Sequence, residues 1–186
     1  AHQHKASLRT DLLICTAPKR WLTCRSLTSQ RSRRTLGRST LDGKDAMSTG
    51  SHIEVVLDYF DGCNTGDLDH LLRTLDNDVV HYFLPAVHPP IRGATHLANY
   101  WRKFKRVYDP TWRIDHLIGS GDEVVSEWSC AYTLPSTGAR MMFRGSEWYV
   151  MRDQRIAEVR AYYHYDESKD CELNGFPYNE RPYLEK

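Results

Sequence analysis

No stretch of this 186-residue chain comes near the eighteen or so consecutive apolar residues that a membrane-spanning helix needs, so no membrane role is expected. The common nucleotide and hydrolase signatures are missing too: there is no P-loop, no GxGxxG loop and no GxSxG elbow. An HExxH zinc pair is also absent, and His81, His88, His96, His116 and His164 fall on different predicted elements, so neither metal nor other cofactor is expected. The five cysteines, at 15, 24, 63, 130 and 171, form no CxxC pair. Three of them lie beyond residue 46, an odd number without framework spacing, which reads as free thiols in a reducing compartment and a cytoplasmic protein.

Acidic residues are scarce only at the start of the chain. Residues 1–46 hold ten Lys or Arg against three acids, whereas the rest holds 15 basic against 21 acidic residues, a net charge of −6. The first segment is rich in Ser and Thr and has no sustained apolar period, so it cannot bury enough surface to offset the entropy of ordering and reads as a disordered tail outside the fold. One reading starts the protein at Met47, with the preceding residues as upstream or appended sequence; another takes the Arg-rich, acid-poor stretch as an organelle transit peptide. A nucleic-acid arm is disfavoured because no aromatic beyond Trp21 accompanies the charges, and no nucleic-acid partner is expected.

From Met47 the pattern is that of one folded domain, residues 47–186. Ser51 and Glu54 form a capping-box pair, and Ile53, Val56, Leu57 and Phe60 recur at helical spacing, predicting a helix over 52–63. Asp67 caps a second, short helix striped by Leu68, Leu71, Leu72 and Leu75. The run 79–84 reads as a strand ended by Pro85, and Leu97, Tyr100, Trp101, Phe104 and Val107 mark a third helix after Gly93. Its Arg102, Lys103, Lys105 and Arg106 read as a solvated face.

Beyond Thr111 the chain alternates as four strands joined by turns at 119–122, 135–138 and 152–154, with helices gathered first and an antiparallel meander last, an α+β layout. Trp112, Ile114, His116 and Ile118 share one strand parity, which would carry His116 into the interior. Glu147 shares parity with Met141, Phe143, Gly145 and Tyr149, and if that face is the inner one the setting raises a carboxyl toward the range of a general acid; the reversed face would turn Arg144, Trp148 and Val150 inward and leave Glu147 a surface charge. On the first strand His81 and Tyr82 face opposite ways, so only one of them is inside. On the last strand Tyr163 joins Val159 and Ala161, leaving Glu158, Arg160, Tyr162 and His164 on an outer face whose aromatics suggest a homodimer interface. Phe176, Tyr178 and Tyr183 make the C-terminal extension from about residue 167 unusually aromatic, suited to packing over a pocket mouth, a partner subunit or the domain itself.

The order helix, helix, strand, helix and four long strands resembles the nuclear transport factor 2-like superfamily, which includes ketosteroid isomerase, scytalone dehydratase and the SnoaL-like polyketide cyclases. The resemblance covers residues 51–166 and is carried by Asp58-Tyr59-Phe60 ahead of Gly66-Asp67, Pro89-Pro90-Ile91-Arg92-Gly93, Asp115-His116-Leu117-Ile118-Gly119 and Gln154-Arg155-Ile156. It implies a cystatin-like, cone-shaped half-barrel: a curved, mostly antiparallel sheet wrapped around three helices, with a pocket inside. By position, Tyr59 matches the isomerases' oxyanion donor and Glu147 their buried acid, while their first-strand aspartate corresponds to Phe83 or Leu84. His116 falls in a segment like the dehydratase's histidine strand, whose second pocket histidine has no counterpart near Tyr132 or Leu134; His81 would replace it from another wall. Phe83, Trp101, Trp128, Tyr132, Phe143 and Tyr163 are the implied pocket lining.

These readings converge on a cofactor-independent lyase or isomerase acting on a hydroxylated or keto-bearing cyclic metabolite. His116 is the expected base, and Glu147, Tyr59 and His81 the expected acids or oxyanion donors. A non-catalytic ligand-binding or dimeric assembly domain of the same fold is the alternative.

Overall fold

Gly66 and Asp67 divide the first two helices. Gly66 takes a left-handed φ of 70° and donates to Gly62 O at 2.8 Å, closing the first helix, and the Asp67 carboxylate accepts from His70 N at 2.9 Å, opening the second. The computed structural model describes residues 43–84 and 89–171. Within them, α1 runs Gly43–Thr65 and α2 Leu68–Thr74. The first helix is therefore longer than its capping pattern predicts. The Ser51 hydroxyl does not cap it; it donates to the Gln154 side chain, across the fold in the turn 152–154. The expected boundary at Met47 likewise falls inside a helix. The readings of the basic segment up to residue 42, of Pro85 and His88, and of Phe176, Tyr178 and Tyr183 lie outside the described residues.

The remaining elements are β1 (Leu75–Leu84), β2 (Ile91–Arg92), α3 (Ala94–Tyr108), β3 (Thr111–Ser120), β4 (Glu123–Thr133), β5 (Arg140–Arg152) and β6 (Arg155–Tyr163). Asp109 ends α3 in a left-handed conformation, its N–H bonded to Lys105 O. The strands form one open, curved sheet in the order β2-β1-β6-β5-β4-β3, antiparallel throughout except for the parallel pair β1–β6. This is the cone-type α+β architecture that the element order predicts. The Asn64 side chain both accepts from Trp112 N (2.6 Å) and donates to Trp112 O (3.0 Å), tying the end of α1 to β3 as a strand would.

Val56, Tyr59, Phe60 and Cys63 of α1 and Leu97, Ala98 and Trp101 of α3 bury their apolar stripes against the inner sheet face. That face carries Val124, Trp128, Cys130 and Tyr132 from β4, Phe143, Glu147, Tyr149 and Met151 from β5, and Val159 and Ala161 from β6. Alternation thus holds through β4, β5 and the end of β6, as their sequence parity predicts.

It fails in β3. Between Ile114 and His116 the pairing with β4 slips by one residue, so that Ile114 faces Trp128 and His116 faces Glu127. The extra residue, Asp115, is a β-bulge, and a bulge reverses every later side chain. Asp115 instead turns its carboxylate into a buried cluster with Ser129 and Arg144, accepting from Arg144 Nη1 at 3.1 Å. His116 is consequently exposed on the outer face, Ile118 is exposed beyond it, and Leu117 packs on the core in their place. The expectation that His116 and Ile118 point inward is overturned by this one inserted residue.

Candidate active site

Two strands that do not touch supply the polar centre of the cone. Glu147 lies on β5 and His81 on β1, with β6 between them; across the sheet Glu147 is level with Ala161 and then Phe83, while Tyr149 is level with Val159 and then His81. Ala161 is small enough for the Glu147 and His81 side chains to lean toward each other over the intervening strand. His81 Nε2 stands 3.6 Å from Glu147 Oε1, and both side chains are essentially removed from solvent. The other carboxylate oxygen, Oε2, accepts from the Tyr149 hydroxyl. Burial pushes the Glu147 carboxyl up to about 7, with the Tyr149 hydrogen bond opposing part of that rise.

Tyr59 enters from α1. Its hydroxyl accepts from Trp101 Nε1 at 2.6 Å and interacts with the Cys63 thiol one turn further along. Burial, and secondarily the Cys63 thiol and the Glu147 charge, push the Tyr59 phenol far up, so it stays protonated. Tyr149 is raised in the same way, first by burial and then by Glu147. Ser126, level with Glu147 on β4 and fully buried, offsets part of the Tyr149 rise, although among the described residues its hydroxyl makes no hydrogen bond.

Of the four polar residues expected at this site, three are in the interior: Glu147, His81 and Tyr59. His116 is not among them. Five of the six expected lining residues fall into two groups. Phe83 and Trp101 flank His81, with ring centroids at 4.1 and 5.6 Å. Trp128, Phe143 and Tyr163 pack on one another at 5.4–6.1 Å, and Trp112 joins Trp101 to this second group at 5.9 Å. Tyr132 lies further out, against Phe143, Tyr108 and Tyr165. Tyr100, Phe104, Tyr108, Tyr163 and Tyr165 are only partly buried and rim the packed interior.

Tyr149 and Ser126 were not singled out by the sequence. Strand parity put Tyr149 on the inner face, but which group its phenol meets depends on how the ring folds back along β5. Ser126 becomes relevant only through the register of β4 on β5. Among the described residues no group of three or more His, Cys, Asp or Glu side chains is placed to hold a metal ion, and no helix is long and apolar enough to cross a membrane.

The sequence profile of the SnoaL-like domain family matches residues 56–159, from the second half of α1 to the middle of β6. No curated protein matches the chain significantly. Among solved structures it is similar to an LEH-like epoxide hydrolase of M. tuberculosis, at 21% identity and a TM-score of 0.57 over 63% of this chain and 85% of that one. It is also similar to a cystatin-like-fold protein of unknown function from Methylobium petroleophilum PM1 (25% identity, TM-score 0.56, 69% and 82% covered). A third is a protein assigned as a polyketide cyclase in Xanthomonas campestris pv. campestris (22% identity, TM-score 0.55, 62% and 92% covered). At these identities the likeness is one of fold.

Proposed function

The chain belongs to the SnoaL-like domain family, and from that premise we propose that it is a cofactor-independent lyase or isomerase acting on a neutral, hydroxylated or keto-bearing cyclic metabolite. The observation that carries this reading is the buried pair: a carboxyl raised to about 7, 3.6 Å from an imidazole. A group that titrates near neutrality both takes and returns a proton at working pH, which is the requirement for general acid–base catalysis. Glu147 Oε1 removes the proton beside a carbonyl. Tyr59, whose oxygen is already held by Trp101, offers its own proton to the oxygen on which negative charge develops. Return of the proton from Glu147 to a neighbouring carbon completes an isomerisation. In a dehydration, His81 in its protonated form donates a proton to the departing hydroxyl, and water leaves.

The class of substrate follows from what surrounds the pair. Apart from His81 and Ser126, the inner-face side chains around Glu147 are mostly aromatic or aliphatic, which suits a largely apolar ring system and disfavours phosphates and carboxylates. The indole N–H groups of Trp112 and Trp128 are buried without an acceptor among the described residues, two donors that an oxygen-bearing ring would satisfy. On this reading a substrate reaches the pair past the half-buried rim of Tyr100, Phe104, Tyr108, Tyr163 and Tyr165. A cytoplasmic setting is part of the same proposal, as is self-association through the outer sheet face. There Ile118, Val125, Trp148, Arg160 and Tyr82 fall in one row across five strands, with Trp148 and Ile118 well exposed.

The test is solvent exchange. Cyclic hydroxyketones incubated with the protein in D2O are to gain deuterium beside the carbonyl, or lose water, as read by mass spectrometry. Glu147→Gln is expected to slow this by at least about 100-fold, and His116→Leu to leave it unchanged. Equal rates for Glu147→Gln and the unmodified protein would remove Glu147 from the reaction.

A further inference from the structure

The geometry points to Tyr149 as the positioning residue of this site: by holding Glu147 Oε2, it leaves Oε1 as the carboxylate oxygen presented to His81 and to a substrate. The inference rests on the reading of Glu147 as the acid–base group and adds which of its oxygens reacts and what selects it.

Tyr59 and Tyr149 have different partners. Tyr59 spends its oxygen on Trp101 and acts on Glu147 only through space. Tyr149 touches the carboxylate directly. It lies two residues beyond Glu147 on the same face of β5, so its phenol folds back along the strand to reach Oε2. Its ring is held edge-on by Tyr59 and Phe60 of α1, at 6.3 and 6.4 Å, and is fully buried. A free carboxylate rotates about its last bond and exchanges its oxygens; one pinned by a fixed donor does not. Because burial and the Glu147 charge keep the phenol protonated, Tyr149 remains a donor whichever state Glu147 is in.

The other titratable groups around Glu147 are Tyr59 and Cys63 on α1, His81 on β1, Cys130 on β4 and Tyr163 on β6. Burial raises Tyr59, Cys63, Cys130 and Tyr163, so they stay neutral across the range in which Glu147 titrates. His81 and Tyr149 are therefore the two groups through which the carboxyl communicates, one at each oxygen.

The experiment follows Glu147 by the carboxyl carbon signal of 13C-labelled glutamate, a measurement that needs no substrate. In Tyr149→Phe its midpoint is expected to rise by about one pH unit from the value near 7, the effect of losing one charge-assisted hydrogen bond. Tyr59→Phe is expected to leave it in place, since the Tyr59 oxygen is held by Trp101. On any substrate found by solvent exchange, Tyr149→Phe is expected to lower kcat with little change in KM and to carry the acidic limb of the pH profile upward with the NMR midpoint. An unshifted midpoint in Tyr149→Phe overturns the inference; if that variant does not fold, 3-fluorotyrosine at position 149, whose more acidic phenol is expected to lower the midpoint, serves instead, and an unshifted midpoint there overturns it. A shifted midpoint without exchange activity in the unmodified protein retains the positioning role and discards the enzymatic reading.

Discussion

A carboxyl held near 7 inside the fold, against 4.5 for the ordinary side chain, makes stability depend on pH in the opposite direction from a surface ion pair. Between those two values the folded chain keeps the Glu147 proton and the unfolded chain has released it, so the unfolded state binds fewer protons and stability falls as pH rises. The contribution is intact below 4.5 and fully lost above 7, a change of at most about 3 kcal/mol. Denaturation midpoints at pH 5, 6 and 7.5 are expected to decline in the unmodified protein and to decline less in Glu147→Gln, which has no proton to lose. Parallel curves would show that no buried carboxyl titrates in that window. At this scale the sequence was informative where a residue's face depends only on counting along an unbroken strand. Glu147 on β5 is such a case, since its inward neighbours at 141, 143, 145 and 149 identify the face. His116 is not, because one bulged residue upstream turned it outward.

Strand β5 is built around a position that tolerates no side chain. A Cβ on Gly145 would stand 2.5 Å from the Trp128 ring and 2.7 Å from Tyr162 O. The ring cannot retreat, being packed against Trp112, Phe143 and Tyr163, and the carbonyl belongs to the β6 backbone. Gly145→Ala is therefore expected to cost about 2 kcal/mol, the usual penalty of overpacking, and to lower Tm by several degrees in a thermal melt; an unchanged Tm would mean that β5 and β6 separate more easily than their pairing implies. Element identities were legible from periodicity for α2, α3 and the four meander strands. The extension of α1 to Gly43 was not, because the Ser51 hydroxyl that reads as a cap is taken by Gln154, 103 residues away. The β3 bulge was invisible for a similar reason: Asp115 occupies its inserted place through Ser129 and Arg144, partners on strands whose register is known only after folding.

On the whole-molecule scale, the outer face leaves Ile118, Trp148 and Tyr162 at 55%, 38% and 50% exposure, a concentration of large apolar groups that a solitary subunit seldom keeps. Light scattering on the eluted protein is expected to give twice the 21.6 kDa chain mass, and Trp148→Glu with Ile118→Glu to return it to one; a monomeric unmodified protein at tens of micromolar would rule the pairing out. The fold class could be read from the order of elements, but the meeting of His81 with Glu147 could not, since it depends on which strand lies between β1 and β5. That arrangement also has a consequence for biosynthesis. The first strand finds its long neighbour only in the last one, so a nascent chain that has not yet released residues 155–163 from the ribosome has no floor beneath the pair and no fixed distance between its two members. The proposed acid–base pair is therefore assembled only when the last strand joins the sheet, and translation products that stop short of that strand lack it.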